Sequence, residues 1–135
     1  MKRVPTDYQI LDAIYERYYS AFAAYQPDQA DRDSKVMVPI DIESLAKDLR
    51  VDADIVFGRL YYDLERRYGY KHDDHGRVSF FALSAGTDRH CVNFPYMASV
   101  LAEVRERRRQ YRTATSIAIV SLVVSIGAIA ISLLA

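Results

Sequence analysis

The last 23 residues constrain this chain more than any other feature of its sequence. From Thr113 to Ala135 there is no charged residue and no proline, and Ile, Val, Leu and Ala dominate. As an α-helix this stretch is roughly 34 Å long, whereas the hydrocarbon core of a bilayer is about 30 Å thick. The rest of the chain, about 110 residues, is too small to enclose such a helix in a soluble core. We therefore predict a single transmembrane helix over 113–135.

A cluster of arginines precedes the apolar stretch, in a segment predicted to be a basic juxtamembrane helix over 95–112. Basic residues flanking a membrane helix stay on the cytoplasmic side, so residues 1–94 are expected to form a cytoplasmic domain at the inner membrane. The same side chains are expected to bind anionic lipid headgroups, at about 1 kcal/mol each. A simple orientation signal would also explain them. The cluster is Arg105, Arg107, Arg108, Arg109 and Arg112.

Small side chains recur along one face of the predicted membrane helix. Their alternating spacing of four and three residues continues to Ala135 and gives a period of 3.5. Small residues let helices approach closely, and this period favours a left-handed crossing. We expect the helix to pack against a second copy or another transmembrane subunit, although chance in an Ala- and Ser-rich helix would give a similar pattern. The stripe comprises Ala114, Ala118, Ser121, Ser125, Ala128 and Ser132.

Charge and cysteine content narrow the possibilities for the remaining residues. Met1 to Pro95 holds 13 Lys and Arg against 16 Asp and Glu, a balance of about −3, which is not typical of a strong nucleic-acid binder. The single cysteine, Cys91, excludes an internal disulfide and fits a reducing compartment. The first nine residues carry basic side chains with no apolar stretch after them, so no signal peptide is expected.

Capping residues and periodicity predict the first elements of the cytoplasmic domain. Thr6 with Gln9 forms a capping box at the start of an amphipathic helix that ends near Tyr25. The segment Val36 to Ile40 is short and β-branched, which indicates a strand, and Pro39 places it at a sheet edge.

Similar signals predict two further helices, a hairpin and a last helix. Asp41 and Asp52 are expected to cap helices that end near Leu49 and Gly69. Two strands within 69–83 should then flank a turn at Asp73, Asp74, His75 and Gly76. An extended stretch near 89–94 precedes Pro95, which is expected to begin the last helix.

The resulting order, α-β-α-α-β-β, resembles the winged helix-turn-helix superfamily over roughly 6–84. The residues that carry this resemblance are the helix 42–49, the turn at 50–52, the helix 53–68 and a wing at 69–83. The fold class expected is therefore α+β, with a winged helix followed by a long helix that continues into the membrane span. The resemblance implies a third helix presented to the major groove and a wing for the DNA backbone.

The exposed face of that third helix is the predicted partner-binding surface. Acidic residues there, Asp54 and Asp63, would repel phosphate, and Asp63 is placed to pair with Arg67 at i, i+4. Winged helices also serve as protein-interaction modules, and a fold does not fix a function. Exposed tyrosines such as Tyr19 would suit a protein partner. The partner-binding candidates are Arg59, Tyr62, Arg66 and Arg67.

Few residues suggest catalysis or metal binding. His72 and His75, with His90 and Cys91 on a neighbouring stretch, would approach a zinc site only if the wing folded onto that stretch, and their spacing is not a zinc-finger signature. No nucleophile-and-base arrangement or phosphate loop is evident, so we expect neither catalysis nor a cofactor.

These features together predict a non-enzymatic, tail-anchored membrane protein. Its cytoplasmic domain would bind a protein partner, as an adaptor, a subunit of a membrane complex or an effector whose assembled helices perturb the bilayer. The alternative is a membrane-tethered transcription regulator, in which the winged helix binds DNA.

Overall fold

The chain is α+β, as the sequence predicts. The computed structural model describes residues 3–74 and 76–135, and the chain divides into two compact units, Met1–Leu101 and Ala102–Ala135.

The elements follow one another in the predicted alternation of helices and strands. They are α1 (Asp7–Ala23), β1 (Met37–Pro39), α2 (Ile42–Leu49), α3 (Ala53–Gly58), a π-helical segment (Arg59–Leu64), α4 (Glu65–Tyr68), β2 (Tyr70–His72), β3 (Gly76–Val78), β4 (Phe81–Ala85), β5 (Asp88–Asn93) and α5 (Phe94–Leu134). The last helix begins at Phe94, one residue before the predicted Pro95.

The helix starts are fixed by the side chains that the sequence indicates. The Thr6 hydroxyl accepts the Gln9 amide at 3.2 Å, and the Gln9 side chain accepts the Thr6 amide at 2.9 Å, which confirms the capping box. Asp41 accepts the Ser44 amide at 3.1 Å at the start of α2. Helix α2 ends at Arg50, whose φ of +58° is the left-handed conformation usually taken by glycine.

The predicted third helix is continuous from 53 to 68 but changes its hydrogen bonding in the middle. At the end of the π-helical segment the Glu65 amide donates to the Leu60 carbonyl, five residues back. Leu60 and Leu64 are fully buried. A π-helical turn widens the helix and redirects side chains, and such turns occur frequently at functional sites.

A three-stranded antiparallel sheet has the order β1-β5-β4. Strand β1 lies at its edge, as Pro39 predicts, and pairs Val38 with Val92. Strand β5 also pairs with β4, with Phe81 opposite Val92.

The hairpin that completes this sheet is not the one predicted. The predicted pairing of two strands across the turn at 73–76 is confirmed by β2 and β3, but the second strand ends at Val78 and does not continue to Leu83. Strands β2 and β3 form a separate two-stranded sheet, and β4 pairs forward with β5. The missed feature is the turn at Gly86 and Thr87, where Gly86 has a φ of +63° at the first central position. Glycine at this position suits a two-residue hairpin turn of type II′.

The core of the first unit is apolar and joins all its layers. Helix α1 contributes Ile10, Leu11 and Ile14, and the sheet contributes Phe81 and Val92. The first two turns of α5 belong to this core as well, through the buried side chains of Phe94, Met97, Val100 and Leu101.

A buried arginine organises the loop that follows α1. Arg32 is 7% exposed and donates to the carbonyls of Ser34 at 2.8 Å, Ala21 at 3.1 Å and Lys35 at 3.1 Å. Asp33 then accepts the Thr87 amide at 2.9 Å, which connects this loop to the β4–β5 turn. Hydrogen bonds thus hold a segment that has little apolar content.

Candidate partner-binding surface and membrane segment

The π-helical segment presents two tyrosines at the surface. Tyr62 is 68% exposed and Tyr61 is 37% exposed. Their rings meet edge to face at 5.1 Å, and Tyr61 stacks on Phe57 at 5.5 Å. Exposure of Tyr62 agrees with its predicted place on the exposed face of the third helix. Rigid aromatic side chains held by neighbouring rings are typical anchors of protein interfaces.

Two of the four predicted partner-binding residues are engaged within the domain. Arg59 contacts both Asp7 and Asp63 and donates to the Pro5 carbonyl at 3.3 Å, and its side chain is only 19% exposed. Arg67 donates to Asp7 at 2.7 Å and to Asp63 at 2.9 Å. The predicted Asp63–Arg67 pair is therefore confirmed. We call this four-residue network the Asp7 clasp.

The electrostatics of the Asp7 clasp favour the charged forms of its members. Partial burial raises the pKa of Asp7, but hydrogen bonds and charge from Arg67 and Arg59 outweigh it and hold that pKa below its ordinary value. The hydrogen bonds to Asp7 and Asp63 raise the pKa of Arg67. The charges of Arg59 and Arg67 are thus neutralised by carboxylates of the same domain.

Arg66 remains on the surface next to Tyr62. Its side chain is 75% exposed, and its nearest carboxylate contact is a long one, to Asp63 at 3.8 Å. Arg66 and Arg77 line a shallow, open groove of about 620 Å³ together with residues of β4. We call this the β4 groove. It is lined by Tyr61, Tyr62, Glu65, Arg66, Arg77, Ser79, Phe81, Ala82, Leu83 and Ser84.

Glu65 fixes the floor of the β4 groove. One carboxylate oxygen accepts the amides of Phe80 and Phe81, at 2.7 Å and 2.8 Å, and the other accepts from Arg77 at 3.1 Å. A buried carboxylate is stable only when its lone pairs are satisfied in this way. The helix 53–68 and the start of β4 are thereby held in one arrangement.

The N-terminal ends of α2 and α3 carry acidic side chains. Asp41, Glu43 and Asp54 line a second pocket, of about 500 Å³, together with Phe57 and His90. In a winged helix that binds DNA, the start of the third helix enters the major groove. Carboxylates at this position would oppose the approach of phosphates.

The residues considered for metal binding do not form a metal site in the described part of the chain. No group of three His, Cys, Asp or Glu lies close enough there to hold an ion. His75, one of the candidates, lies outside the described residues. Cys91 is fully buried, and desolvation raises the pKa of its thiol. A thiol with a raised pKa is a poor nucleophile.

The second unit has the properties of a membrane segment. Helix α5 is long and apolar enough to span a bilayer, with a mean hydropathy of 2.7 over its most apolar window and none of that window buried. From Arg105 to Ala135 every residue is exposed. An apolar surface of this extent is unfavourable in water, and a bilayer would cover it.

Within this unit, the polar groups make contacts along the helix itself. Arg109 pairs with Glu106 at 2.8 Å, and the Ser125 hydroxyl donates to the Ser121 carbonyl at 2.9 Å. The second contact satisfies a hydroxyl inside lipid without another helix.

Of the residues that line the β4 groove, sequence reasoning identified Tyr62 and Arg66 and missed the others, among them Tyr61, Arg77 and Leu83. Tyr61 has core spacing on a regular helix and becomes half-exposed beside the π-helical turn. Arg77 and Leu83 were assigned to one wing, although they lie on different strands that border the same groove. The sequence signal that could have identified Leu83 is that it is an apolar residue in a short strand.

No protein family, curated protein or solved structure matches this chain.

Proposed function

We propose that this chain is a non-enzymatic, single-pass membrane protein whose N-terminal domain binds a protein partner. The observation that carries the proposal is that the helix 53–68 has two kinds of polar residue, those paired within the domain and those exposed at the surface. Arg59 and Arg67 are paired with Asp7 and Asp63, whereas Tyr62 and Arg66 are exposed beside a groove. Exposed Tyr and Arg side chains are enriched at the energetic centres of protein interfaces.

In this proposal the domain is a winged helix used for protein recognition. The order of α1, β1, α2 and α3 supports it, as does a sheet in which β1 pairs with the second strand of a hairpin. The β4–β5 hairpin then takes the place of the wing. In this arrangement the partner binds to the side of the third helix. The acidic N-terminal end of that helix then contacts no nucleic acid.

The membrane helix localises this domain to the cytoplasmic face of the inner membrane and packs with other membrane helices. The arginines from Arg105 to Arg112 support the cytoplasmic orientation and contacts with anionic headgroups. The small-residue stripe supports packing with a second copy or another subunit. An adaptor, a subunit of a complex and a bilayer-perturbing effector all share these requirements.

Binding of DNA is the alternative function. Arg66 and Arg77 would supply backbone contacts, and the helix order is that of DNA-binding winged helices. The alternative is weaker because the two best-placed arginines, Arg59 and Arg67, are already neutralised. The acidic residues Asp41, Glu43 and Asp54 also lie where the groove of DNA would approach.

Site-specific photo-cross-linking of the full chain tests the proposal. p-Benzoylphenylalanine in place of Tyr62 is expected to give a discrete protein adduct in intact cells that make the protein. The same group in place of Tyr19, an exposed tyrosine on α1, is the matched control and should not give this adduct. Arg66→Glu should abolish the adduct at position 62.

Other outcomes would contradict protein binding at this surface. A nuclease-sensitive adduct at position 62 would favour the DNA alternative, as would a salt-sensitive shift of duplex DNA by the detergent-solubilised chain at about 50 mM salt. Absence of any adduct would also count against the proposal. For the membrane assignment, the full chain is expected to stay in the membrane pellet after alkaline washing. Release into the aqueous fraction would disprove a transmembrane helix.

A further inference from the structure

Strand β4 has an open edge beside the candidate surface. In the sheet order β1-β5-β4, it pairs with β5 on one side, and no other strand of the described residues pairs with it. The opposite edge of the sheet, at β1, contains Pro39, which blocks strand pairing. Strand β4 (Phe81–Ala85) contains neither proline nor charge. It therefore lacks the proline and the charged side chains that protect many edge strands.

The backbone direction of β4 can be read from its contacts. The Phe81 amide donates to Glu65 on the side away from β5. Backbone groups alternate between the two edges of an antiparallel strand. The Phe80 carbonyl accepts the Asn93 amide on the β5 side, so Ala82, opposite Cys91, also faces β5, and the amide of Leu83 points to the open side.

Among the described residues, a hydrogen-bond partner occupies the open edge at its start. Glu65 takes the amides of Phe80 and Phe81, so the position of Leu83 is the first that can receive a new strand. The Leu83 side chain is 46% exposed and lies in the β4 groove with Tyr61 and Tyr62. An incoming backbone at Leu83 would thus meet apolar and aromatic side chains.

Charge indicates what kind of segment fits. Arg66 and Arg77 border the β4 groove, and both expose at least half of their side chains. Arg77 already pairs with Glu65 but keeps further donors in its planar guanidinium. A second copy of β4 is uncharged, so it would bring nothing to either arginine. An acidic segment would pair with both.

We propose that the partner binds as an extended acidic segment that adds a strand to the open edge of β4. Main-chain hydrogen bonds at Leu83 give the register, an apolar side chain of the segment packs on Leu83 and Tyr61, and a carboxylate binds Arg66 and Arg77. This inference rests on the proposed protein-binding function and specifies the chemical class of the partner.

Peptide selection on the full chain in detergent micelles tests the proposal. Random dodecapeptides displayed on phage are selected on the protein, and the enriched peptides are expected to be acidic. The strongest binder, made synthetically, should slow hydrogen exchange of the Leu83 amide at least about tenfold, as measured by NMR on isotope-labelled protein. Its counterpart with lysine in place of each acidic residue should bind at least about tenfold more weakly.

Two substitutions separate backbone from side-chain recognition. Leu83→Pro removes the outward amide and is expected to weaken binding about tenfold or more. Leu83→Ser keeps that amide and removes only the apolar side-chain contact, so it should weaken binding less than Leu83→Pro does. If Leu83→Pro does not fold, the exchange measurement on the unmodified chain still decides the question.

Different experimental outcomes would contradict strand addition at β4 and the proposed protein-binding function. A peptide that competes with the cross-link at position 62 but leaves Leu83 exchange unchanged would overturn strand addition and leave protein binding intact. Enrichment of basic peptides, of none, or equal binding by a folded Leu83→Pro chain would also overturn strand addition. Loss of the position-62 protein adduct itself is the outcome that removes the proposed function.

Discussion

Asp7, in the first turn of α1, accepts a hydrogen bond of 2.7 Å from Arg67, near the end of α4. The two residues are 60 positions apart in the sequence, and their contact closes the Asp7 clasp. It stabilises the packing of α1 against the helix 53–68. It also neutralises a positive charge that a DNA-binding helix would need.

Asp7→Asn should weaken the domain because it leaves Arg59 and Arg67 with a neutral partner. We expect the free energy of unfolding at neutral pH to fall by about 1–2 kcal/mol, less than for a fully buried charge. Urea unfolding of the full chain in mild detergent, followed by tyrosine fluorescence, measures it. Asp28→Asn, the same change at an exposed residue outside the clasp, is the control and should have little effect.

The effect of Asp7→Asn should depend on pH. Because the folded-state pKa of Asp7 is lowered, its contribution is complete above the unfolded-state pKa of about 3.9 and is lost as the pH falls through the folded-state value. The difference between the two chains should therefore be constant from about pH 6 to 8 and shrink below about pH 4. A difference that stays unchanged at about pH 3 would show that charge is not its origin.

Gly86→Ala should destabilise the β4–β5 hairpin in two ways. The φ of +63° is strained for alanine, and an added Cβ would collide with the Asp33 carboxylate. We expect a loss of about 1–3 kcal/mol in unfolding free energy. Gly76→Ala isolates the strain, because Gly76 has a φ of +77° with open space around it. Equal losses for both variants would argue against the contact with Asp33.

Local signals made much of the domain predictable. Thr6, Asp41 and Asp52 mark helix starts because their side chains bond to nearby amides, an interaction that is visible in sequence. Gly69 marks the end of the helix 53–68, and Pro39 marks the edge strand. The apolar helix at the C-terminus could be predicted from length and composition alone.

The features that could not be predicted depend largely on contacts between residues that are distant in the sequence. Nothing local shows that Asp7 would pair with Arg59 and Arg67, so two arginines were assigned to a partner. The β4–β5 turn was missed because the alternation around Gly86 is weak, and β4 was assigned to the preceding hairpin. The π-helical turn, which brings Tyr61 to the surface, has no established sequence signal in this segment.

Arg32→Met should be among the more damaging substitutions in the first unit. It removes donors from the Ser34, Ala21 and Lys35 carbonyls in a buried setting. We expect the unfolding free energy to fall by about 2–4 kcal/mol, since unsatisfied buried acceptors cost about 1–3 kcal/mol each. Thermal unfolding followed by circular dichroism checks this. Arg89→Met, at an exposed position of β5, should change stability little.

The small-residue stripe predicts how the membrane helix associates. Ser121→Leu combined with Ser125→Leu should reduce the cross-linked oligomer in detergent severalfold, because bulky side chains prevent close approach. Ile119→Leu with Val123→Leu, at the same spacing on a different face, is the matched control. Oligomers that persist in the stripe variant, or a chain that is monomeric throughout, would contradict the prediction.

The complete burial of Cys91 has a practical consequence. It is the chain's one cysteine, and in the folded domain it is shielded from water-borne maleimides. A cysteine introduced at any exposed position will therefore be the sole reactive thiol, without removal of the native one. Fluorophores, spin labels and impermeant reagents can then report distances within the domain and the sidedness of the arginine cluster in otherwise unaltered protein.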